Sequence, residues 1–261
     1  MKTKKVLLTG LMFLLLLLTM PYTIMAAVKK PVYVITSVTQ KSSYVKKETK
    51  LSYNKNGLLS KATIPSTSFG WPDLKLKASY SSKGNLKKVT ADDYTRTITH
   101  TFSYQSGKLL KHTIVTKDAS NNKSTKTMTY LWKGKTFTAT TKDLDAGETE
   151  NTATGKLNSK NRLLSVTTKY PVGALVENTK YQYDSKGFLK SISHDTEKTE
   201  FKNTVKSGRL KKRTGNNSTA YTFKYKKIKV PSSYVKKVKA QQNYILDNLT
   251  EDWYSFYYPS W

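Results

Sequence analysis

Histidine is the side chain that titrates nearest neutral pH, and this chain has three: His100, His112 and His194. His194 precedes Asp195, and such a pair could orient a general base beside a carboxylate. The surrounding sequence offers no nucleophile at a recognisable turn or helix start. His100 falls on the apolar side of an alternating segment, so we expect a hydrogen-bonded core histidine rather than a ligand. The histidines therefore predict no catalytic site.

Acidic residues are few, 17 against 46 basic ones, and one group of them resembles a cation site. Residues 143–148 read Asp-Leu-Asp-Ala-Gly-Glu, which is similar to a fragment of a calcium loop. The third ligand position and the terminal glutamate spacing do not match, so an acidic hairpin turn is the main prediction and a calcium site the alternative. The glycines precede no helix, which excludes a phosphate-binding loop. We expect no cofactor and no metal.

Positive charge dominates the chain, which has a formal net charge of +29 at pH 7. Such a charge favours wall polymer, acidic lipid headgroups, nucleic acid or acidic glycan as a partner. Arginine, whose planar guanidinium can form two parallel bonds with a phosphate or a base edge, is rare, and nearly all basic residues are lysine. We therefore predict either diffuse attraction to a polyanion or simple solubility, and no sequence-specific binding of nucleic acid.

Aromatic and lysine side chains are the remaining candidates for a binding surface. One tryptophan lies between Gly70 and Pro72, in a predicted loop where its ring could stack on a sugar. Most other aromatic residues of an all-β chain pack inside. The speculative ligand-binding set is Trp71, Lys75, Lys77, Trp253 and Tyr257.

The N-terminal residues 1–26 have the pattern of a secretory signal. Three lysines precede an apolar run, and small residues follow at Ala26 and Ala27. The run is shorter than a typical membrane span, so we expect cleavage and no span in the mature chain; an uncleaved anchor is the alternative. The chain has no cysteine, which excludes a lipid-modified cysteine, disulfides and thiolate metal sites. An exported protein without disulfides is typical of bacteria, located outside the cell or at its envelope.

A weak repeat about every 25 residues indicates the architecture. Its clearest copy is Tyr-Gln-Tyr-Asp-Ser-Lys-Gly-Phe-Leu at 181–189, and degenerate copies occur at 157–163 and 205–210. The repeat positions assigned a structural role are Tyr53, Gly57, Tyr80, Gly84, Tyr104, Gly107, Tyr130, Gly134, Tyr183, Gly187 and Gly208.

Each repeat has the pattern of a β-hairpin. The residues before each turn alternate between apolar and polar, as in Leu74–Tyr80, which is typical of a half-buried strand. Glycine supplies the positive φ of a tight turn. A leucine follows two positions later, and the next apolar residue often lies three further on. That odd step predicts a bulge, which keeps both side chains inside.

The predicted fold is an all-β antiparallel meander of about seven β-hairpin repeats over residues 27–230. We expect about 14–16 strands, too many for a flat open sheet, so the sheet should curl into a large open or closed barrel-like structure. A C-terminal helix and an aromatic tail occupy residues 231–261, with a serine N-cap after Pro231. We expect them to cover the apolar face; the alternative is an exposed segment that docks on a membrane or partner.

The copy at 181–189 resembles the Tyr-Asp (YD, or Rhs) repeat, whose pattern is Y-x-Y-D-x-x-G-x-L. The similarity extends loosely over residues 51–225, and the aspartate of the pattern is present at Asp184 alone. The resemblance implies a secreted or surface β scaffold without catalytic activity, of a kind described as wall-associated or carbohydrate-binding. The chain is too short to enclose a toxin, so that role of the family is not implied.

The sequence therefore predicts a secreted bacterial protein that is not an enzyme. We expect a binding or scaffold module of the cell envelope whose lysine face attracts anionic wall polymer or glycan. The alternative is a carrier, in which a helix-lidded half-barrel holds a lipid or another apolar ligand. An enzyme is a third hypothesis, and it requires His194, Asp195 and a serine or tyrosine to converge in a cleft.

Overall fold

The computed structural model describes residues 28–66, 72–93, 95–173, 175–216 and 218–248. Within these residues, sixteen antiparallel strands form one sheet in chain order, and the last strand pairs with the first to close a barrel. The predicted all-β meander is confirmed, and the sheet is closed rather than open. The strands are β1 Lys29–Lys41, β2 Lys46–Tyr53, β3 Leu59–Ile64, β4 Leu74–Tyr80, β5 Leu86–Asp93, β6 Arg96–Gln105, β7 Lys108–Asp118, β8 Lys123–Lys133, β9 Thr136–Asp143, β10 Glu148–Leu157, β11 Leu163–Lys169, β12 Val176–Tyr183, β13 Leu189–His194, β14 Glu197–Lys206, β15 Arg209–Gly215 and β16 Ala220–Pro231.

The repeat turns all lie at one end of the barrel. Each of them joins an even-numbered strand to the next odd-numbered one, whereas the other connections lie at the opposite end. We call the first the helix end, because the C-terminal helix contacts it, and the second the far end. Glycine permits the tight turns at the helix end, where Gly57 has φ +80° and Gly187 has φ +82°.

At the helix end, an inward side chain before each turn pairs with an inward apolar side chain after it. Tyr53 pairs with Leu59, and the register shifts immediately afterwards. The predicted bulge is present in six of the seven hairpins at this end and is missing between β8 and β9. The other pairs are Tyr80–Leu86, Tyr104–Leu109, Trp132–Phe137, Leu157–Leu163, Tyr183–Leu189 and Val205–Leu210.

Barrel closure adds an eighth unit, so the expected count of about seven repeats is too low by one. Tyr225 of β16 pairs with Ile35 of β1, and a register shift follows there as in the hairpins. The hairpin pattern in the sequence does not indicate this unit, because its two strands come from opposite ends of the described chain. In the fourth unit, Trp132 stands at the tyrosine position, two residues beyond Tyr130. Tyr130 is also inward and only 2 % exposed.

The repeat tyrosines link neighbouring hairpins by hydrogen bonds. The hydroxyl of Tyr80 donates a hydrogen bond of 2.6 Å to the carbonyl of Leu59, which lies in the preceding unit of the barrel wall. Such a bond satisfies a polar group in the core and fixes adjacent units against each other. The same bond recurs from Tyr53 to Ile35, Trp132 to Leu109, Tyr183 to Leu163 and Tyr225 to Leu210.

A 3₁₀ turn, Ser232–Tyr234, leads into the helix α1, Val235–Asn248. The predicted serine N-cap is wrong: Pro231 occupies the cap position, and the turn has no side-chain cap bond. The helix covers the apolar end as expected, because Val238 and Ile245 are fully buried in it. No helix among the described residues is both long and apolar enough to cross a membrane.

The core lies inside the barrel and under the helix. The largest cluster of buried apolar side chains joins inward residues of most strands to Ile245 and Leu246 of α1. A second cluster holds the start of the helix on Val32 and Val34 of β1 and Val230 of β16. The outward positions between these residues are mostly lysine, threonine and serine, and they form the outer face of the barrel.

Candidate functional site

Two of the five speculative ligand-binding residues lie on the outer face of the barrel. Lys75 and Lys77 alternate with the inward Leu74, Leu76 and Ala78 on β4, and both are exposed. Trp71, Trp253 and Tyr257 lie outside the described residues.

Lysines from four adjacent strands converge around these two residues. Lys61 of β3 is the direct cross-strand partner of Lys77, and both side chains are exposed on the same face. Lys50 of β2 and Lys88 of β5 are also outward and exposed. We call Lys50, Lys61, Lys75, Lys77 and Lys88 the lysine patch. Directly opposed like charges destabilise a sheet, and a bound anion would remove that repulsion.

Little negative charge lies within the lysine patch. Asp92 is the cross-strand partner of Lys75, and its carboxylate accepts a hydrogen bond from the hydroxyl of Thr97 at 3.1 Å. Glu48, on the same strand as Lys50, interacts with that lysine and also pairs with Lys224. The five lysines of the patch therefore have two carboxylates beside them, Asp92 and Glu48, which leaves the patch locally positive.

Sequence reasoning missed Lys61 as a member of this surface. Its alternation with Ala62 predicts an outward lysine, but pairing with Lys77 depends on the register between two hairpin units. That register is set by the connection between β3 and β4, whose length alone does not define it.

The helix end is held closed by glutamine side chains of α1. Gln242 accepts a hydrogen bond from the backbone N–H of Ile35 at 2.7 Å, and Gln241 accepts one from the N–H of Leu59 at 2.7 Å. Gln241 also donates to the hydroxyl of Tyr80 at 2.8 Å. These bonds satisfy backbone groups beside the bulges, so the helix completes the ends of the strands as well as covering apolar surface.

The C-terminal end of α1 is fixed by a buried ion pair. Arg162 forms two bonds with Asp247, from Nε to Oδ2 at 2.9 Å and from Nη2 to Oδ1 at 2.5 Å. Burial raises the pKa of Asp247, and the bond and charge of Arg162 oppose that rise. Arg213, fully buried on β15, donates to the carbonyl of Leu246. Burial lowers the pKa of Arg213 to about 10. Two of the four arginines therefore anchor the helix.

His100 and His112 contact each other inside the barrel. Nδ1 of His100 lies 2.9 Å from Nε2 of His112, and the ring of Phe102 stacks on that of His112 with centroids 4.5 Å apart. The predicted hydrogen-bonded core histidine is therefore confirmed for His100. Burial lowers the pKa of His100 to about 4. Burial, and then the neighbouring His100, lower that of His112 to about 3.

His194 and Asp195 lie at a far-end turn rather than in an enclosed cleft. Nδ1 of His194 is 3.0 Å from the hydroxyl of Thr179, and its Nε2 is 3.9 Å from the Asp195 carboxylate. Both side chains are about half exposed, at 52 % and 42 %. Threonine thus stands where the enzyme hypothesis required serine or tyrosine.

The turn at 144–147 is a β-hairpin connection between β9 and β10. Asp143 accepts hydrogen bonds from the backbone N–H groups of Asp145 and Ala146, at 2.9 and 3.1 Å. These bonds lower the pKa of Asp143. The acidic hairpin turn is therefore present where it was expected. Among the described residues, no group of three or more histidine or acidic side chains is placed to hold a metal ion.

Comparison with known proteins gives similarity of fold alone. No protein-family model matches the chain, and no curated protein matches its sequence. A porin-like protein from Bacteroides uniformis is similar in structure, with a TM-score of 0.50 and 13 % sequence identity, covering 74 % of this chain and 98 % of that one. A porin-like protein from Bacteroides vulgatus has a TM-score of 0.48 and 13 % identity, with the same coverage.

Proposed function

We propose that this protein is an exported bacterial β-barrel, without catalytic activity, that binds an anionic polymer or glycan of the cell envelope through its outer face. The observation that supports this function best is the lysine patch, with Lys61 directly opposite Lys77. Lysine is suited to diffuse attraction along a polymer, because it is a hydrated point charge on a flexible stem.

The composition of the outer face supports a barrel that is surrounded by water and polymer. Membrane-spanning barrels carry an apolar band about 25 Å tall on their outer face. Here the outward positions of β4 are Lys75, Lys77 and Ser79, and those of β6 include Thr99 and Thr101. A porin-like fold with this outside is better suited to contact polyanions than lipid chains.

The packing of α1 bears on the alternative function, a carrier of lipid. A mobile lid would need to leave the barrel without large cost, but Val238 and Ile245 are fully buried and Asp247 is paired with Arg162. Opening would expose these side chains and separate a buried ion pair, which is strongly unfavourable. The helix is therefore better suited to be a fixed part of a scaffold than a gate.

Retention on isolated cell-wall fragments tests the proposal. We expect wild-type protein to bind the fragments at low salt and to elute as the salt rises, because screening weakens attraction between exposed charges. Fragments stripped of their anionic polymer should retain much less protein. Equal retention on stripped fragments, or retention that is indifferent to salt, would refute the proposed function.

A charge-matched variant pair separates the lysine patch from net charge. The variant Lys61→Gln/Lys75→Gln/Lys77→Gln should elute at clearly lower salt than wild type. The control Lys133→Gln/Lys169→Gln/Lys202→Gln removes the same charge from exposed positions on three separate strands, β8, β11 and β14. If both variants lose the same retention, binding depends on overall charge and the lysine patch has no special role.

A further inference from the structure

The far end of the barrel has a cavity of about 340 Å³ between the β9–β10 turn and the β11–β12 connection. Its lining includes Asp143, Glu148 and Glu150 and the apolar residues Tyr170, Val172 and Leu175. Asp143 accepts bonds from its own turn and Glu150 pairs with Lys126, which leaves Glu148 as the exposed carboxylate. The volume is at the lower end of the range of about 300–1,000 Å³ typical of ligand pockets, so it can accept one large side chain with part of its neighbours.

Exposed apolar side chains surround this cavity. Val172 is 87 % exposed, Leu175 53 % and Leu144 51 %, and Val176 beside them is 43 % exposed. These four are nearly half of the nine large apolar side chains that are exposed among the described residues. A contiguous group of exposed apolar side chains, unlike a single exposed one, commonly marks an interaction surface. The exposed carboxylate of Glu148 favours a partner that is basic as well as apolar.

The chain itself carries a segment of matching chemistry at the same end of the barrel. Tyr44, in the β1–β2 turn, is 97 % exposed. Lys41 and Lys46 flank it as direct cross-strand partners, both exposed, so two like charges oppose each other beside an exposed aromatic ring. Tyrosine is enriched at protein interfaces, because it buries a large apolar ring and keeps a polar tip.

The two features lie on nearly opposite sides of the far end. The turn of Tyr44 joins β1 to β2, and the cavity lies among the ends of β9 to β12, about half-way around the sixteen strands. Two barrels can meet at their far ends across a two-fold axis that is perpendicular to the barrel axis and points midway between the two features. The turn of each copy then lies on the cavity of the other, and the two equivalent contacts are on opposite sides of the interface.

We propose that two copies of this chain associate through their far ends, with Tyr44 of each inserted into the cavity of the other. Lys41 and Lys46 then face the exposed Glu148, beside Glu150, which pairs with Lys126 of its own copy, and Leu175 covers the tyrosine ring. The interaction does not involve the lysine patch, so it does not rest on the proposed function.

Sedimentation velocity of the full mature chain at about 0.15 M salt tests the proposal, since the Debye length of about 8 Å then limits long-range repulsion between the basic barrels. We expect a concentration-dependent dimer. Tyr44→Ser and Glu148→Lys should each weaken it at least about tenfold, the first by removing the inserted ring and the second by opposing like charges. Leu131→Ser, which changes another exposed apolar residue, 71 % exposed on β8, should have no effect.

A charge exchange distinguishes direct contact from indirect effects. Lys46→Glu combined with Glu148→Lys should restore dimerisation that either change alone weakens, because each copy then presents the reversed pair. Circular dichroism and the thermal midpoint verify that each variant is folded. A chain that stays monomeric up to about 1 mM, or a dimer indifferent to Tyr44→Ser and Glu148→Lys, would overturn the proposal.

Discussion

Lowering the pH from 7 to 5 should destabilise the barrel through the buried pair of His100 and His112. Their pKa values in the folded protein, about 4 and about 3, are both below the ordinary value of 6.5. Below pH 6.5 the unfolded chain therefore binds protons that the folded barrel does not. The stabilisation from the two neutral rings is complete above pH 6.5 and is lost as the pH falls towards 4.

The size of the loss follows from the distance between pH 5 and the ordinary pKa. At pH 5 each histidine is almost fully protonated when unfolded and neutral when folded, which costs about 2 kcal/mol per ring. His112 is 3 % exposed. His100 is more accessible to solvent, so screening reduces its contribution to the free-energy loss. We expect a total loss of about 3 kcal/mol, which lowers the melting temperature by roughly 5–15 °C for a chain of this size.

The free energy of unfolding, measured by urea titration at pH 7 and pH 5 with matched ionic strength, checks this value. His100→Gln/His112→Gln should remove most of the pH dependence, whatever its absolute stability. His194→Gln should retain it, because that side chain is half exposed. The raised pKa of Asp247 acts in the opposite direction, and the double variant retains it, so the difference between the two proteins isolates the histidines. Equal pH dependence in wild type and double variant would refute the reasoning.

Four substitutions test the helix end by chemical denaturation. Gly57→Ala should cost about 2–4 kcal/mol, because its Cβ would lie 2.5 Å from Cγ1 of Val230, whereas Gly208→Ala, with open space and φ +68°, should cost about 1 kcal/mol. Tyr80→Phe should cost about 1–2 kcal/mol, because a buried carbonyl loses its donor; an unchanged midpoint would contradict a structural role for the hydroxyl. Asp247→Asn should cost about 3–5 kcal/mol and speed amide exchange in α1, and slow exchange throughout the helix would show that the ion pair does not hold it.

The wall of the barrel was predictable because its signals are local. Alternation along Leu74–Tyr80 indicates a strand, and Gly84 indicates the turn that follows it. The odd step from Leu86 to Val89 indicates a bulge, and each of these features depends on residues within one hairpin. Closure is not predictable in this way, since the pairing of Ile35 with Tyr225 joins strands that are far apart in the sequence and no local pattern encodes it.

The interactions of α1 were not predictable for the same reason. The sequence indicates an amphipathic helix, but the bond from Ile35 to Gln242 joins residues 207 positions apart. The pairing of Arg162 with Asp247 spans 85 positions. Arg162 lies in the degenerate repeat copy at 157–163, but the repeat assigns no partner to that position, and Arg213 follows the copy at 205–210. Of the two, Arg213 is fully buried and Arg162 bonds both carboxylate oxygens of Asp247, a role that the planar guanidinium fills better than a lysine would, whereas Arg96 is exposed.

The inner and outer faces of the barrel wall are under different structural constraints, and the outer face is the less constrained of the two. Inward residues such as Tyr53 and Tyr183 pack in the core and also bond the preceding unit, so each is constrained by two neighbours. Outward residues between them form contacts on the surface, such as the ion pair of Lys224 with Glu48, so they can change without disturbing the core. Placing Lys61 against Lys77 has a cost in repulsion that a threonine would remove, and the opposed pairs Lys41–Lys46 and Lys117–Lys123 carry the same cost. An anion bound as proposed above would offset that cost, so replacing Lys61 by threonine should stabilise the free barrel while it weakens binding.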